Sequence, residues 1–137
     1  MRKSIFGERV KRLEDPALLR GKGRFVDDIP LHGMLHAVFI RSPFAHAKIN
    51  RISKINAVEL PGVFGVYTLD DLLPHCISGR MPEAPRSPLV KNWPTPFVLA
   101  KDEVCHVGEA IAVVVAKTRH IAEDASKLVN IDYTAMP

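Results

Sequence analysis

Residues 107–133, VGEAIAVVVAKTRHIAEDASKLVNIDY, read as strand, helix and strand without help from the rest of the chain. The apolar run Ala110 to Ala116 falls well short of the roughly 18 residues that cross a bilayer, and it suits a strand covered on both faces. Thr118 stands where its hydroxyl accepts an orphan N–H at a helix start. Ile121, Ala122, Ala125, Leu128 and Val129 then recur at helical spacing, with Glu123, Asp124 and Lys127 on the opposite side. Asn130 to Tyr133 returns to period two. A right-handed crossover is the expected connection, which makes this stretch a C-terminal βαβ unit in a mixed β-sheet structure.

Upstream of it, Glu103 to Val107 and Phe97 to Ala100 read as strands joined at Lys101-Asp102. Met34 to Arg41 is a strand rich in branched and aromatic residues, stopped by Ser42-Pro43. Ala45 to Ile52 reads as another, with Ala47, Ile49 and Arg51 alternating against polar neighbours. Ser53 to Leu60 has the pattern of one or two helical turns, with Ser53 as cap and Pro61-Gly62 as terminator. Val63 to Tyr67 is a strand, and Thr68-Leu69-Asp70-Asp71 opens a short helix with an acidic first turn. The fold class is therefore α+β, with two or three short helices.

Two stretches stand apart. Residues 1 to 33 are polar, turn-rich and poor in period. The loop Pro74 to Pro96 holds six of the 11 prolines and the single tryptophan, Trp93. A structureless segment of this length inside a compact domain is unusual, and such segments are often functional or covered by a partner.

A chain of 137 residues with 47% apolar and 25% charged residues has the composition of a soluble globular domain. The net charge of +4 is dispersed, and no Lys/Arg run is interleaved with aromatics, so the composition argues against a nucleic-acid partner. Met1-Arg2-Lys3 is basic, but no apolar stretch follows it, which argues against a secretory leader. A cytoplasmic protein without a membrane span is the expectation.

The chemistry-bearing residues do not converge on a motif. Cys76 and Cys105 each adjoin a histidine, His75 and His106, yet structural zinc takes ligands two to four residues apart on each arm. Two ordinary buried or half-buried thiols are expected instead. Two cysteines also cannot supply the four thiolates of an iron–sulfur cluster. Gly21-Lys22-Gly23-Arg24 lacks both the Walker pattern and a preceding strand, so it reads as a tight turn. No Gly-x-Gly-x-x-Gly cradle and no Gly-x-Ser-x-Gly elbow occur, and Ser42 precedes a proline at a strand end. The adjacent pairs Asp27-Asp28 and Asp70-Asp71 diverge, as turn and cap carboxylates do. No catalytic, cofactor-binding or metal-binding residue is assigned.

Four ordered blocks resemble one family. Val10–Ile29 (VKRLEDPALLRGKGRFVDDI) resembles the opening of the large subunit of molybdenum hydroxylases, the xanthine dehydrogenase, aldehyde oxidase and aerobic carbon monoxide dehydrogenase group. Gly33–Ile49 (GMLHAVFIRSPFAHAKI), Leu60–Val63 and the closing strand–helix–strand through Asp132–Pro137 are similar to later blocks of that subunit, in the same order. The resemblance implies that residues 1–137 form its N-terminal α/β hammerhead domain. The molybdopterin contacts, the catalytic glutamate and the Gly-rich cofactor loops would lie in domains absent from this chain.

The resemblance implies a structural share for the domain: packing on the molybdenum domains, in the same or a separate polypeptide, and shaping substrate access. The parent enzyme would use a molybdopterin-type cofactor, with iron–sulfur clusters and FAD on other domains or subunits. Aligning on Val98-Leu99-Ala100-Lys101-Asp102 places Trp93 where relatives have an apolar or aromatic substrate-channel residue, with a plain core tryptophan as the alternative. Without its neighbours the domain would expose an apolar patch and self-associate. The contrasting reading is a stand-alone, non-catalytic assembly or ligand-binding module. The isolated chain is expected to bind no molybdenum, iron or flavin and to show no hydroxylase activity. Metal analysis and an absorbance spectrum check this, and stoichiometric molybdenum or a flavin band would overturn it.

Overall fold

A computed structural model of the chain orders its elements as α1 (Asp15–Leu18), β1 (His36–Arg41), β2 (Ala47–Ser53), α2 (Ile55–Val58), β3 (Val63–Thr68), α3 (Leu69–Leu72), β4 (Glu103–Val104), β5 (Ala110–Ala116), α4 (Arg119–Leu128) and β6 (Asn130–Ala135). The described residues are 6–7, 9–81 and 95–137. They belong to two compact units, Met1–Met34 and Leu35–Pro137.

In the first unit, Pro16 sits in the opening turn of α1, where its missing N–H leaves no bond unmade. The turn that follows α1 closes at Gly21, whose φ of +65° suits a residue without a side chain. Gly21 N–H reaches the Leu18 carbonyl and Lys22 N–H the Ala17 carbonyl, so the start of the expected Gly21–Arg24 turn is a helix stop. The Asp28 carboxylate accepts the Phe25 N–H at 3.0 Å, the turn role read for that pair. None of this unit's described residues is buried, and Leu13, Leu19 and Val26 are 98%, 87% and 87% exposed.

The second unit holds two antiparallel sheets, ordered β1-β5-β3 and β4-β2-β6. β5 is the spine of the first. Its Ala112, Val114 and Ala116 are buried with Ala57 of α2, Val66 of β3, and Ala122 and Ala125 of α4. Thr118 caps α4, accepting the Ile121 N–H at 3.3 Å as expected. The other side of β5 is open. Val113 pairs with Phe39 on β1 and Tyr67 on β3, a row in which Phe39 stays 49% and Tyr67 38% exposed. One face of this strand is therefore covered, not both. Ile111, at its start, belongs to the second core with Ala47, Ala100 and Val104.

The α+β class holds, with four short α-helices among the described residues, and the strand–helix–strand order of residues 110–135 is as read. The crossover is not. β5 is flanked on both sides by β1 and β3, and β6 crosses to the other sheet to pair with β2. No parallel pair occurs among the described residues, so the sheets are antiparallel rather than mixed.

Three further differences have local causes. Ser53 closes β2, paired with Asn130, and Lys54 occupies the cap position of α2. A bulge between Ile49 and Arg51 makes Asn50 an extra residue, which shifts the alternation so that Ile52, not Arg51, turns inward. Asn50 donates to Asp132 at 3.3 Å and Thr134 at 2.9 Å on β6, which holds the bulge in place. Phe97–Ala100 contributes one bridge instead of a strand, and the following strand shortens to Glu103–Val104.

The expected terminator Pro61-Gly62 is in place. Gly62 has φ +91°, and a Cβ there would meet Ile121 Cδ1 at 2.9 Å. At the start of α3, Asp71 accepts the Thr68 N–H and hydroxyl, each at 2.7 Å, and the Lys54 ammonium at 2.6 Å. Partial burial works against its ionisation, but Lys54 and the two Thr68 bonds outweigh it and lower its pKa from 3.8 to about 2. A folded-state value below the unfolded one stabilises the fold above the unfolded value, and that stability is lost as pH falls toward about 2. Asp71→Ala is expected to cost about 1 kcal/mol at neutral pH, as lost caps do. In urea titrations the difference from the parent should shrink below pH 4 by roughly the protonated fraction.

Candidate functional site

Where the proline-rich segment leaves and rejoins the described chain, a cleft of about 460 Å³ is lined by Arg80, Pro96, Phe97, Cys105, His106 and Glu109, among others. Its floor is built by the turn between β4 and β5. Glu109 reaches back across this turn, accepting the Cys105 N–H and lying 3.6 Å from His106 Nδ1. Gly108 takes φ +86° to close it.

Ser42 pins the same turn to the end of β1. Its N–H donates to the Glu109 carbonyl at 2.9 Å and its carbonyl accepts the Gly108 N–H at 2.8 Å. Arg41 adds a bond from Nη1 to the Gly108 carbonyl at 2.8 Å. The Ser42 hydroxyl is spent on Phe44, donating to its carbonyl and accepting its N–H. Ser42 is 3% exposed and acts as a structural pin, with no base at its hydroxyl.

The two cysteines are exposed, unlike the buried or half-buried thiols expected from the sequence. Cys76 follows a 3-10 turn, Leu73–His75, and Cys105 opens the β4–β5 turn, and neither position lies under a helix or sheet. Local desolvation, then the charges of Glu109 and Glu103, push the Cys105 thiol above its usual pKa. A protonated thiol is a poor nucleophile and a poor metal ligand. No three His, Cys, Asp or Glu side chains gather to hold a metal ion among the described residues. The cleft offers an aromatic face, a guanidinium and an imidazole–carboxylate pair, groups that hold a molecule or a loop.

The fold has counterparts among known proteins. The family model for the aldehyde oxidase and xanthine dehydrogenase a/b hammerhead domain matches residues 20–137. The chain belongs to that family. It is 41% identical over 130 residues to the nicotine 6-hydroxylase large subunit of Paenarthrobacter nicotinovorans, covering 95% of this chain and 16% of that one. It is 41% identical to the carbon monoxide dehydrogenase large chain of Afipia carboxidovorans, over 96% of this chain and 15% of the relative. Among solved structures, quinoline 2-oxidoreductase from Pseudomonas putida 86 superposes with a TM-score of 0.81 at 40% identity, covering 99% of this chain and 17% of that one. This hammerhead chain thus spans about one-sixth of the length of the relatives it matches.

Trp93, the one channel residue read from the sequence, lies outside the described residues. Of its neighbourhood, Thr95 and Pro96 are described, and both line the cleft. Sequence reasoning missed Arg80, Glu109 and His46. Glu109 acts locally, on the Cys105 N–H four residues back. Arg80 and His46 act through partners far along the chain.

His46 precedes β2 and lies between Glu103 of β4 and Pro137, two residues past β6. Its Nδ1 lies 2.6 Å from the Pro137 carbonyl, and its Nε2 3.6 Å from Glu103. The Pro137 carbonyl raises its pKa above 6.5, some desolvation opposes this, and the hydrogen bond and charge of Glu103 add to the rise. A raised folded-state pKa gives stability that is fully present below 6.5 and is lost as pH rises through the folded value. A proton NMR titration should place the His46 midpoint above 6.5, and Glu103→Gln should move it back toward that value.

Proposed function

We propose that this chain is the structural N-terminal domain of a larger molybdenum hydroxylase subunit, residues 1–137 forming one hammerhead domain. It packs on molybdenum-binding domains of the same or a separate polypeptide and shapes access to their substrate site. One observation carries this reading, the open face of the first sheet. There Phe39 and Tyr67, 49% and 38% exposed, flank the partly buried Val113 in one apolar row. Apolar surface left in water forgoes roughly 25 cal/mol per Å². Leu13, Leu19 and Val26 add exposed side chains on the first unit. Surfaces of this kind are what an interface between domains of roughly 600–1,500 Å² would cover.

In this reading the domain is not catalytic alone, and the parent's chemistry belongs to the other domains. In the parent enzyme a molybdopterin-type cofactor would supply hydroxylation of a substrate C–H bond or oxidation of carbon monoxide. Iron–sulfur clusters and FAD on other domains or subunits would carry the electrons away. Access to that site is shaped, in this reading, by the segment before Phe97, with Trp93 presented to the channel. No described helix is long and apolar enough to cross a membrane. The partners in this reading are protein domains, not nucleic acid.

Coexpression with the molybdenum-binding part of the subunit tests the packing role. The two are expected to copurify, and Val113→Lys should weaken the complex on the order of tenfold or more, because it drives a charge into an apolar contact. Without its partner the chain should gain mass with concentration in light scattering, and the same substitution should suppress that gain. A parent chain that stays monomeric at high concentration and binds no molybdenum domain would leave the stand-alone module as the better reading.

A further inference from the structure

We propose that Arg80 is the positioning residue of the proline-rich segment, locking the clasp from which residues 82–94 depart and to which they return. The proposal rests on the access role given above to the segment that carries Trp93. Arg80 and Phe97 form an isolated antiparallel bridge. It is flanked by two main-chain bonds, Met81 N–H to the Pro96 carbonyl and Val98 N–H to the Gly79 carbonyl, both at 2.9 Å. That arrangement makes Arg80 and Phe97 a non-hydrogen-bonded pair, in which opposing side chains share a face and approach most closely. The Arg80 guanidinium lies 4.1 Å from the centre of the Phe97 ring. Its Nη1 donates to the Thr95 carbonyl at 2.5 Å, so one side chain grips the returning limb two residues after Trp93.

The clasp is seated at both ends. On the leaving limb Gly79 is buried, and a Cβ there would come within 2.7 Å of Leu73 Cδ2 and 3.2 Å of Leu69 Cδ1. The Ser78 hydroxyl meanwhile accepts the Arg80 N–H at 3.1 Å. On the returning limb Leu99 and Ala100 are 2% and 4% exposed, and the Ala100 N–H bonds to the Ala110 carbonyl at 2.7 Å. Among the described residues, the main chain between these anchors supplies the two flanking bonds, and so short a pairing is marginal by itself. Arg80 adds a stack and a directed bond to it. A lysine would supply the charge without the planar face that stacks on Phe97. Because Arg80 and Phe97 also line the 460 Å³ cleft, the clasp that sets the segment's two ends is part of the cleft wall.

Trp93 is the single tryptophan of the chain, so its fluorescence reports on the segment directly. Arg80→Leu should speed amide exchange at Met81 and Val98 by about tenfold while amides of β5 keep their protection. Acrylamide quenching of Trp93 should change in the same variant, and Arg80→Lys should fall between. Phe97→Leu, which removes the ring and leaves Arg80, should reproduce the effect and serves as the second probe if Arg80→Leu does not fold. Unchanged exchange and quenching in a folded variant would overturn the proposal. The access role fails separately: if Trp93→Ala leaves the substrate selectivity of the intact enzyme unchanged, that role is lost whatever the clasp does.

Discussion

The close approach of α4 to β5 is the contact on which the second unit depends. Ala112 and Ala116 on the strand and Ala122 and Ala125 on the helix have no exposed surface, and Val114 lies among them. Small side chains at these four places let the helix settle against the strand, and close-packed interiors tolerate few voids or added methylenes. The rest of the first sheet is arranged around that contact. α2 enters the same core through Ala57, and Gly62 keeps clear of Ile121 because it has no Cβ to clash. With β1 and β3 on either side of β5, the chain leaving α4 finds its partner in the second sheet.

β5 also couples the two cores. Ile111 lies in the second one, and the carbonyl of Ala110 accepts the Ala100 N–H. Just upstream, Ser42, Gly108 and Glu109 fasten the β4–β5 turn to the end of β1. The candidate cleft lies on this turn, so its position is fixed by main-chain bonds of the framework. That explains why Ser42, dismissed as catalytic, is nonetheless buried and bonded through its N–H, carbonyl and hydroxyl. It holds the strand end that places the cleft.

The β5–α4 pair was legible because period and capping agree there: an apolar run, then Thr118, then small and branched residues at helical spacing. The destination of β6 was not, since a right-handed parallel crossover is the common outcome for strand–helix–strand and the sequence alone does not say that β5 has both edges occupied. One sign did point the other way. Ile131 and Tyr133 alternate with Asn130 and Asp132, the pattern of a half-buried antiparallel strand and not of a strand covered on both faces. The bulge at Asn50 was hidden for a different reason. A one-residue insertion reverses the alternation beyond it, and its bonds to Asp132 and Thr134 come from a distant strand. At the site, the adjacent carboxylates were read rightly as cap and turn groups, whereas the thiols were assigned by the average habit of cysteine and proved exposed.

The proline-rich segment shows how far such reading extends. Composition set it apart, because proline removes donors and breaks period. What composition could not reveal is that its flanks are paired. Arg80 and Phe97 become neighbours only when the segment between them closes a loop, and nothing local to either residue announces the other. The entropy of such closure grows slowly with loop length, so a clasp resting on two main-chain bonds and one guanidinium can persist at the base of a long segment if its limbs are already anchored. Gly79 on one limb and Leu99 with Ala100 on the other provide that anchoring.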